Sequence, residues 1–185
     1  MGTNDIEAIE RIKRATAEIL DGGGDAEKIT VRQIAERAGV GVGLINYHFG
    51  SKNALLGEVI GQRMSEMASE LSAGHADLEP RARLSAMMKQ LFSFGAEYKS
   101  LMQVLIRQGF DSGNSSAAMT IVPILREILG SDTDEMQLRI MALQILHPIQ
   151  VTCLAPEQFY IYSGINIDDA AQRDKFVDSL IGNLF

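Results

Sequence analysis

Residues 30–52 read TVRQIAERAGVGVGLINYHFGSK, and this run constrains the fold more than any other. Thr30-Val31-Arg32-Gln33 has the capping-box pattern. The Thr hydroxyl accepts from the backbone N–H three residues on, and the Gln side chain reaches back. Val31, Ile34, Ala35 and Ala38 then recur at helical spacing, and Gly39 stands where a helix ends. Past Val40 a second short helix fits residues 41–49, and Ser51 is placed to cap a third carrying Leu55, Leu56, Val59 and Ile60. Two short helices joined by a tight glycine turn form a helix-turn-helix. Its second helix enters a DNA major groove with its N-terminal residues on base edges.

The alternating glycines of AGVGVG suggest other readings, which the context excludes. A dinucleotide fingerprint needs G-x-G-x-x-G between a strand and a helix, whereas Gly39, Gly41 and Gly43 follow a helix. A P-loop needs Gly-Lys before its Ser or Thr; Gly50-Ser51-Lys52 has the order reversed. A buried strand would end awkwardly in Tyr47-His48-Phe49.

Helical spacing recurs almost everywhere else. Ile6, Ile9, Ile12, Thr16, Ile19 and Leu20 make an amphipathic leading helix, which the glycines of Asp21-Gly22-Gly23-Gly24 should end. The helix after Ser51 should run through Met64, Met67 and Leu71 to Gly74. Further helices are expected at about 79–95, 97–109, 115–129, 133–153 and 168–183. Glu79-Pro80, Gly95, Gly109 to Asn114, Gly130 to Asp132 and Ser163 to Asp168 would separate them. Pro123 and Pro148 should kink or split their helices, and 153–163, with Pro156, stays open. The expectation is an all-α fold of about nine helices. A three-helix DNA-binding domain would occupy 1–52 and a larger helical domain 53–185.

Composition narrows the function. No apolar run approaches the roughly 20 residues that cross a bilayer. The charged start carries no secretory signal, and Ile6 stands where myristoylation needs Ser or Thr, so a cytoplasmic location is expected. The lone Cys153 excludes an internal disulfide and reads as a small core residue rather than a nucleophile. His48, His75 and His147 are isolated, and no nucleophile–base pairing is suggested. No metal, cofactor or catalytic set is therefore expected. Net charge is −7, but residues 1–52 carry seven Lys/Arg against eight Asp/Glu. The acidity lies mostly beyond them, leaving room for a local basic face near the N-terminus.

At this point the run TVRQIAERAGVGVGLINYHFGSKNALL, with the helix before it, resembles the DNA-binding segment of the TetR family of bacterial transcriptional repressors. The likeness rests on the spacing of Thr30, Ile34, Ala35, Ala38-Gly39-Val40, Tyr47, Phe49, Lys52 and Leu55-Leu56. It implies that Thr30 and Arg32 lie close to the DNA backbone, with Arg32 able to reach a base. Gly41, Val42, Leu44, Asn46 and Tyr47 would form the exposed face of the recognition helix. Tyr47, His48 and Lys52 match positions that meet phosphates. Ile34, Ala35, Ala38, Val40, Ile45, Phe49 and Leu55 would be core. The sequence departs from the family at Gly41, Val42 and Leu44, where polar or basic residues are usual, and at Asn46, where Tyr is usual. Base reading then falls to Asn46, whose amide can pair with adenine, to Arg32 and to methyl contacts, which favours an A·T-biased operator. Plainer readings stand beside these. Arg32 can pair with Glu36, Tyr47 and His48 can pack, and Asn46 and Lys52 can be solvated.

For the rest of the chain the resemblance implies a small-molecule inducer, expected to be apolar or amphipathic, and a homodimer. The helices at 133–153 and 168–183 would pack against their copies. Leu138, Met141, Ala142, Ile145, Leu146 and Ile149 stripe the first of them; Phe176, Val177, Leu180, Ile181 and Leu184 stripe the second. An internal core would show the same stripes. Met64, Met88, Phe92, Met102, Phe110 and His147 are the pocket candidates, with ordinary helix core as the alternative. The expected function is a ligand-responsive repressor rather than an enzyme. The rivals are an all-α binder or enzyme without DNA binding, and a protein-interaction module.

Overall fold

The computed structural model describes residues 3–22, 26–74, 77–113 and 115–185. Gly23, Gly24, His75 and Asn114 lie outside the described residues. Among those described there are eleven helices and no strand. In chain order they are α1 Thr3–Asp21, α2 Val31–Ala38, α3 Val42–Phe49, α4 Lys52–Gly74, α5 Pro80–Glu97 and α6 Lys99–Ser112. Then follow α7 Ser116–Met119, α8 Val122–Leu129, α9 Glu135–Leu154, α10 Pro156–Ser163 and α11 Ala170–Gly182. The chain divides into two compact units, Met1–Arg63 and Met64–Phe185, and the division falls inside α4.

In the first unit α1 packs on α2, and α2 on α3. Ile12, Leu20, Ile34, Ile45, Leu55 and Ile60 are buried there. Each such side chain contributes about 1.5–3 kcal/mol on leaving water. Thr16, which shares the apolar stripe of α1, is also buried, and its hydroxyl donates to the Ile12 carbonyl at 2.8 Å. Ion pairs join Lys13 to Glu58, Arg63 to Asp21, and Arg37 to Glu18 around this core.

In the second unit α5 packs on α8 and α11, while α9 meets α6, α7, α8, α10 and α11. Several expected boundaries differ. Gly95 does not end a helix: it is buried inside α5, where an added Cβ would lie 3.7 Å from the Met102 side chain. Gly109 lies inside α6, and Gly113, at φ 65°, ends that helix instead. Pro123 does split its segment, since its ring fits the first turn of α8 and leaves α7 as a separate turn. Pro148, by contrast, lies within an unbroken α9. The open tract folds as α10, starting on Pro156, and the chain bends by 109° between α9 and α10.

The stripe expected to face a second copy is also corrected. Leu138, Met141, Ala142, Ile145 and Ile149 are buried in this unit's own core, as are Val177 and Ile181. Leu146, Phe176, Leu180 and Leu184 pack half-buried against it. Helix α9 nevertheless exposes Met136, Ile140 and Val151 on its opposite side. It is apolar on two faces, of which the unit's own core uses one.

Candidate nucleic-acid interface

The α2–turn–α3 segment is set by local chemistry. The Thr30 hydroxyl accepts from Gln33 N at 3.2 Å, and Thr30 N donates to Gln33 Oε1 at 2.8 Å, so both arms of the capping box are made. At the other end Gly39, at φ 65°, sends its N–H back to Ala35 and Glu36. That left-handed turn is strained for residues with a Cβ and ordinary for glycine. It allows α3 to begin after only three intervening residues, with Ile45 buried, Leu44, His48 and Phe49 half-buried, and the rest turned outward.

The outward face carries Gly41, Val42, Gly43, Asn46 and Tyr47, all exposed, with Tyr47 81% accessible. Helix α3 starts on Gly41 without a side-chain cap, so its first N–H groups are open to an acceptor. Gly41 and Gly43 differ in kind from Gly39. Neither has a positive φ, and a Cβ at either would meet no atom within 4 Å.

Other sequence-derived sites are placed less simply. Leu44, expected outward, is half-buried, and Val40 and Phe49, expected in the core, are also only half-buried. His48 turns its Nε2 inward, where it is buried with no partner among the described residues, so the expected phosphate contact is closed to that nitrogen. Its ring stands edge-on to Tyr47 at 4.9 Å. Arg32 is exposed and pairs with Glu36 at 3.2 Å. An exposed i,i+4 pair of this type contributes only about 0.3–0.5 kcal/mol, so a phosphate or base can displace the Glu. Lys52 Nζ donates to the carbonyls of Ala26 (3.2 Å) and Glu27 (3.0 Å), fastening the segment before α2. An ammonium has three donors, so a third remains for a phosphate. The segment has only a short cluster of cationic groups, Arg32, Arg37 and Lys52, each already engaged within the unit.

Residues 14–59 match the family described as bacterial regulatory proteins, tetR family. By its N-terminal domain the chain is similar to the TetR family. It is 34% identical over 86 residues to the HTH-type transcriptional regulator BetI 2 of Chromohalobacter salexigens, covering 45% of this chain and 41% of that protein. It is 33% identical over 81 residues to BetI of Stenotrophomonas maltophilia, covering 43% and 41%. The match thus spans about two fifths of these curated relatives. The TetR-type fold extends over the whole chain. FadR of Thermus thermophilus, a repressor solved with lauroyl-CoA, aligns at TM-score 0.65 and 20% identity, covering 96% of this chain and 95% of that one. AlkX of Dietzia aligns at TM-score 0.62 and 15% identity, covering 94% and 93%.

In the second unit the pocket candidates lie in different surroundings. Met88 and Phe92 are core residues, and Met64 and Met102 are half-buried. Phe110 is exposed on α6 with its ring 5.5 Å from that of His147 on α9. A cleft of about 520 Å³ lies elsewhere, between the start of α6, the first turns of α10 and the loop before α11. Sequence reading missed it because its walls come from three separated segments, one of them the tract with no clear helical period. Among the described residues no group of His, Cys, Asp or Glu could hold a metal ion. No single helix among them is long and apolar enough to cross a membrane.

Proposed function

We propose that this chain is a ligand-responsive, DNA-binding transcriptional repressor that acts as a homodimer on a pseudo-palindromic operator. The observation that carries this reading is the outward face of α3, with its uncapped start and the exposed Asn46 and Tyr47 behind a turn fixed by Gly39. Asn46 reads adenine, Val42 meets thymine methyls, and Arg32 leaves Glu36 for the DNA. Tyr47 and the free donor of Lys52 meet phosphates. One eight-residue helix makes too few contacts alone. Two related by a two-fold axis reach half-sites about 34–36 Å apart.

The second apolar face of α9, with Met136, Ile140 and Val151, supports the dimer, and so do Ile161 and Tyr162 of α10, 82% and 92% exposed. Thermus FadR holds lauroyl-CoA and Bacillus subtilis FadR holds stearoyl-CoA, which supports an apolar or amphipathic inducer here. Such a molecule would have to part the packed side chains around Met88 and Phe92, shifting the dimer to a state whose recognition helices no longer match the operator.

The test selects fragments of genomic DNA bound by the full chain at physiological salt, then measures Asn46→Ala on the recovered site. The variant should lose about 1–3 kcal/mol there and little on random DNA. Equal losses on both would remove Asn46 as a reader, and the recovery of no enriched sequence would count against the whole reading.

A further inference from the structure

The cleft of about 520 Å³ in the second unit is separate from the core methionines, and its chemistry differs from theirs. Drug-sized sites are mostly apolar with a few polar groups. Here the lining is Gln103, Gln158 and Asn166, the carboxylates of Glu157 and Asp168, the Tyr160 phenol, Lys99 and a single proline. Three carboxamide residues, whose amides can both donate and accept, therefore line one small volume.

The walls are held in place before any ligand arrives. Arg173, at 9% exposure, donates to the carbonyls of Ile167 (2.8 Å) and Asp168 (3.2 Å) and to the Ser93 hydroxyl (3.3 Å). Asn166 Oδ1 accepts from Asp168 N at 3.0 Å, and the Gln172 side chain accepts from Asn166 N at 2.8 Å. On the facing side the Gln103 amide donates to the Cys153 carbonyl at 3.0 Å, which fixes α6 against the end of α9. Glu157, Gln158 and Tyr160 line the cleft from α10, and their side chains make no hydrogen bond or ion pair among the described residues.

Charge limits what can enter. Lys99 is bound to Asp168 at 3.1 Å, so these two neutralise each other and Glu157 leaves the lining net negative. A phosphate-bearing ligand is therefore disfavoured, and a fully apolar one would desolvate Gln158 and Glu157, which have no partner among the described residues. We infer that the cleft binds a neutral polyhydroxylated molecule of mono- to disaccharide size. Hydroxyls, which donate and accept, satisfy Gln103, Gln158, Asn166 and Glu157 together, while the Tyr160 ring covers a C–H face. The site stands whether or not the chain binds DNA.

The experiment titrates the 15N-labelled full chain with maltose, glucose and ribose, with coenzyme A as the charged comparison, and follows the side-chain amides of Gln103, Gln158 and Asn166. Saturable shifts with at least one saccharide and none with coenzyme A are expected. Gln158→Ala and Tyr160→Ala, both at exposed positions, should each weaken binding by about tenfold or more while leaving the rest of the spectrum in place. No saturable shift with any saccharide would overturn the inference, as would unchanged affinity in both variants or saturation by coenzyme A alone. DNA binding is measured in parallel on the same samples. Its absence alongside saccharide binding would remove the repressor reading and leave the cleft intact; the opposite result would do the reverse.

Discussion

Gly43 is the residue whose presence the fold explains least. Its φ is not positive, and a Cβ there would touch nothing, yet glycine inside a helix costs about 0.5–1 kcal/mol relative to alanine. A bare backbone on the face turned outward makes sense if another molecule approaches it closely. Gly43→Ala should therefore raise the urea midpoint, by an amount equivalent to as much as about 1 kcal/mol, while weakening operator binding. A variant that is stabler and binds DNA equally well would show that close approach plays no part. Cys153, read from sequence as a small core residue, is half-buried against the core. Burial pushes its thiol up to about 11, against hydrogen bonding from Thr152 and the nearby charges of Lys99 and Arg173. At pH 8 it should react with iodoacetamide far more slowly than glutathione, and mass spectrometry of the intact chain checks this. What single residues did not reveal was direction. The inward Nε2 of His48 and the half-burial of Leu44 depend on what α3 packs against, which neighbouring letters do not encode.

Among the helices, those whose ends are fixed by local chemistry were legible. The capping box at Thr30, the left-handed Gly39 and the Ser51 hydroxyl accepting from Ala54 N at 3.1 Å all follow from residues within four positions of one another. Gly95 and Gly109 misled because a glycine inside a helix lowers its propensity without ending it, and both lie within continuous helices. Helix α9 misled in another way. Apolar on two faces, it announces burial but not which face meets its own chain. Its outer residues now carry the dimer proposal. Ile140→Lys combined with Ile161→Lys should convert the full chain to a monomer in sedimentation analysis while keeping its helical circular dichroism. A variant pair that stays dimeric would move the interface elsewhere.

For the molecule as a whole, acid is the informative stress. Hydrogen bonds from Arg139 and Arg126 hold the Glu135 carboxyl below its ordinary 4.5, joining α8 to α9. At Asp178 burial pushes upward, but the bonds from Lys89 and Ser85, both at 2.7 Å, outweigh it and leave the group below its ordinary 3.8. Both folded values are depressed, so the stability these groups contribute is present above 4.5 and 3.8 and is lost as pH falls through the lower folded values. The urea midpoint should therefore drop as pH is taken from about 5 to about 3, and less steeply in Glu135→Gln. An unchanged slope in that variant would assign acid sensitivity to other carboxylates. The two-faced α9 also bears on how such a chain can diversify. The residues that build its core, such as Leu138 and Ile145, are not those proposed to meet a second copy, such as Met136, Ile140 and Val151. On that proposal, a duplicated copy can stop mixing with its sibling through changes at a few outer positions, with no penalty to its own folding.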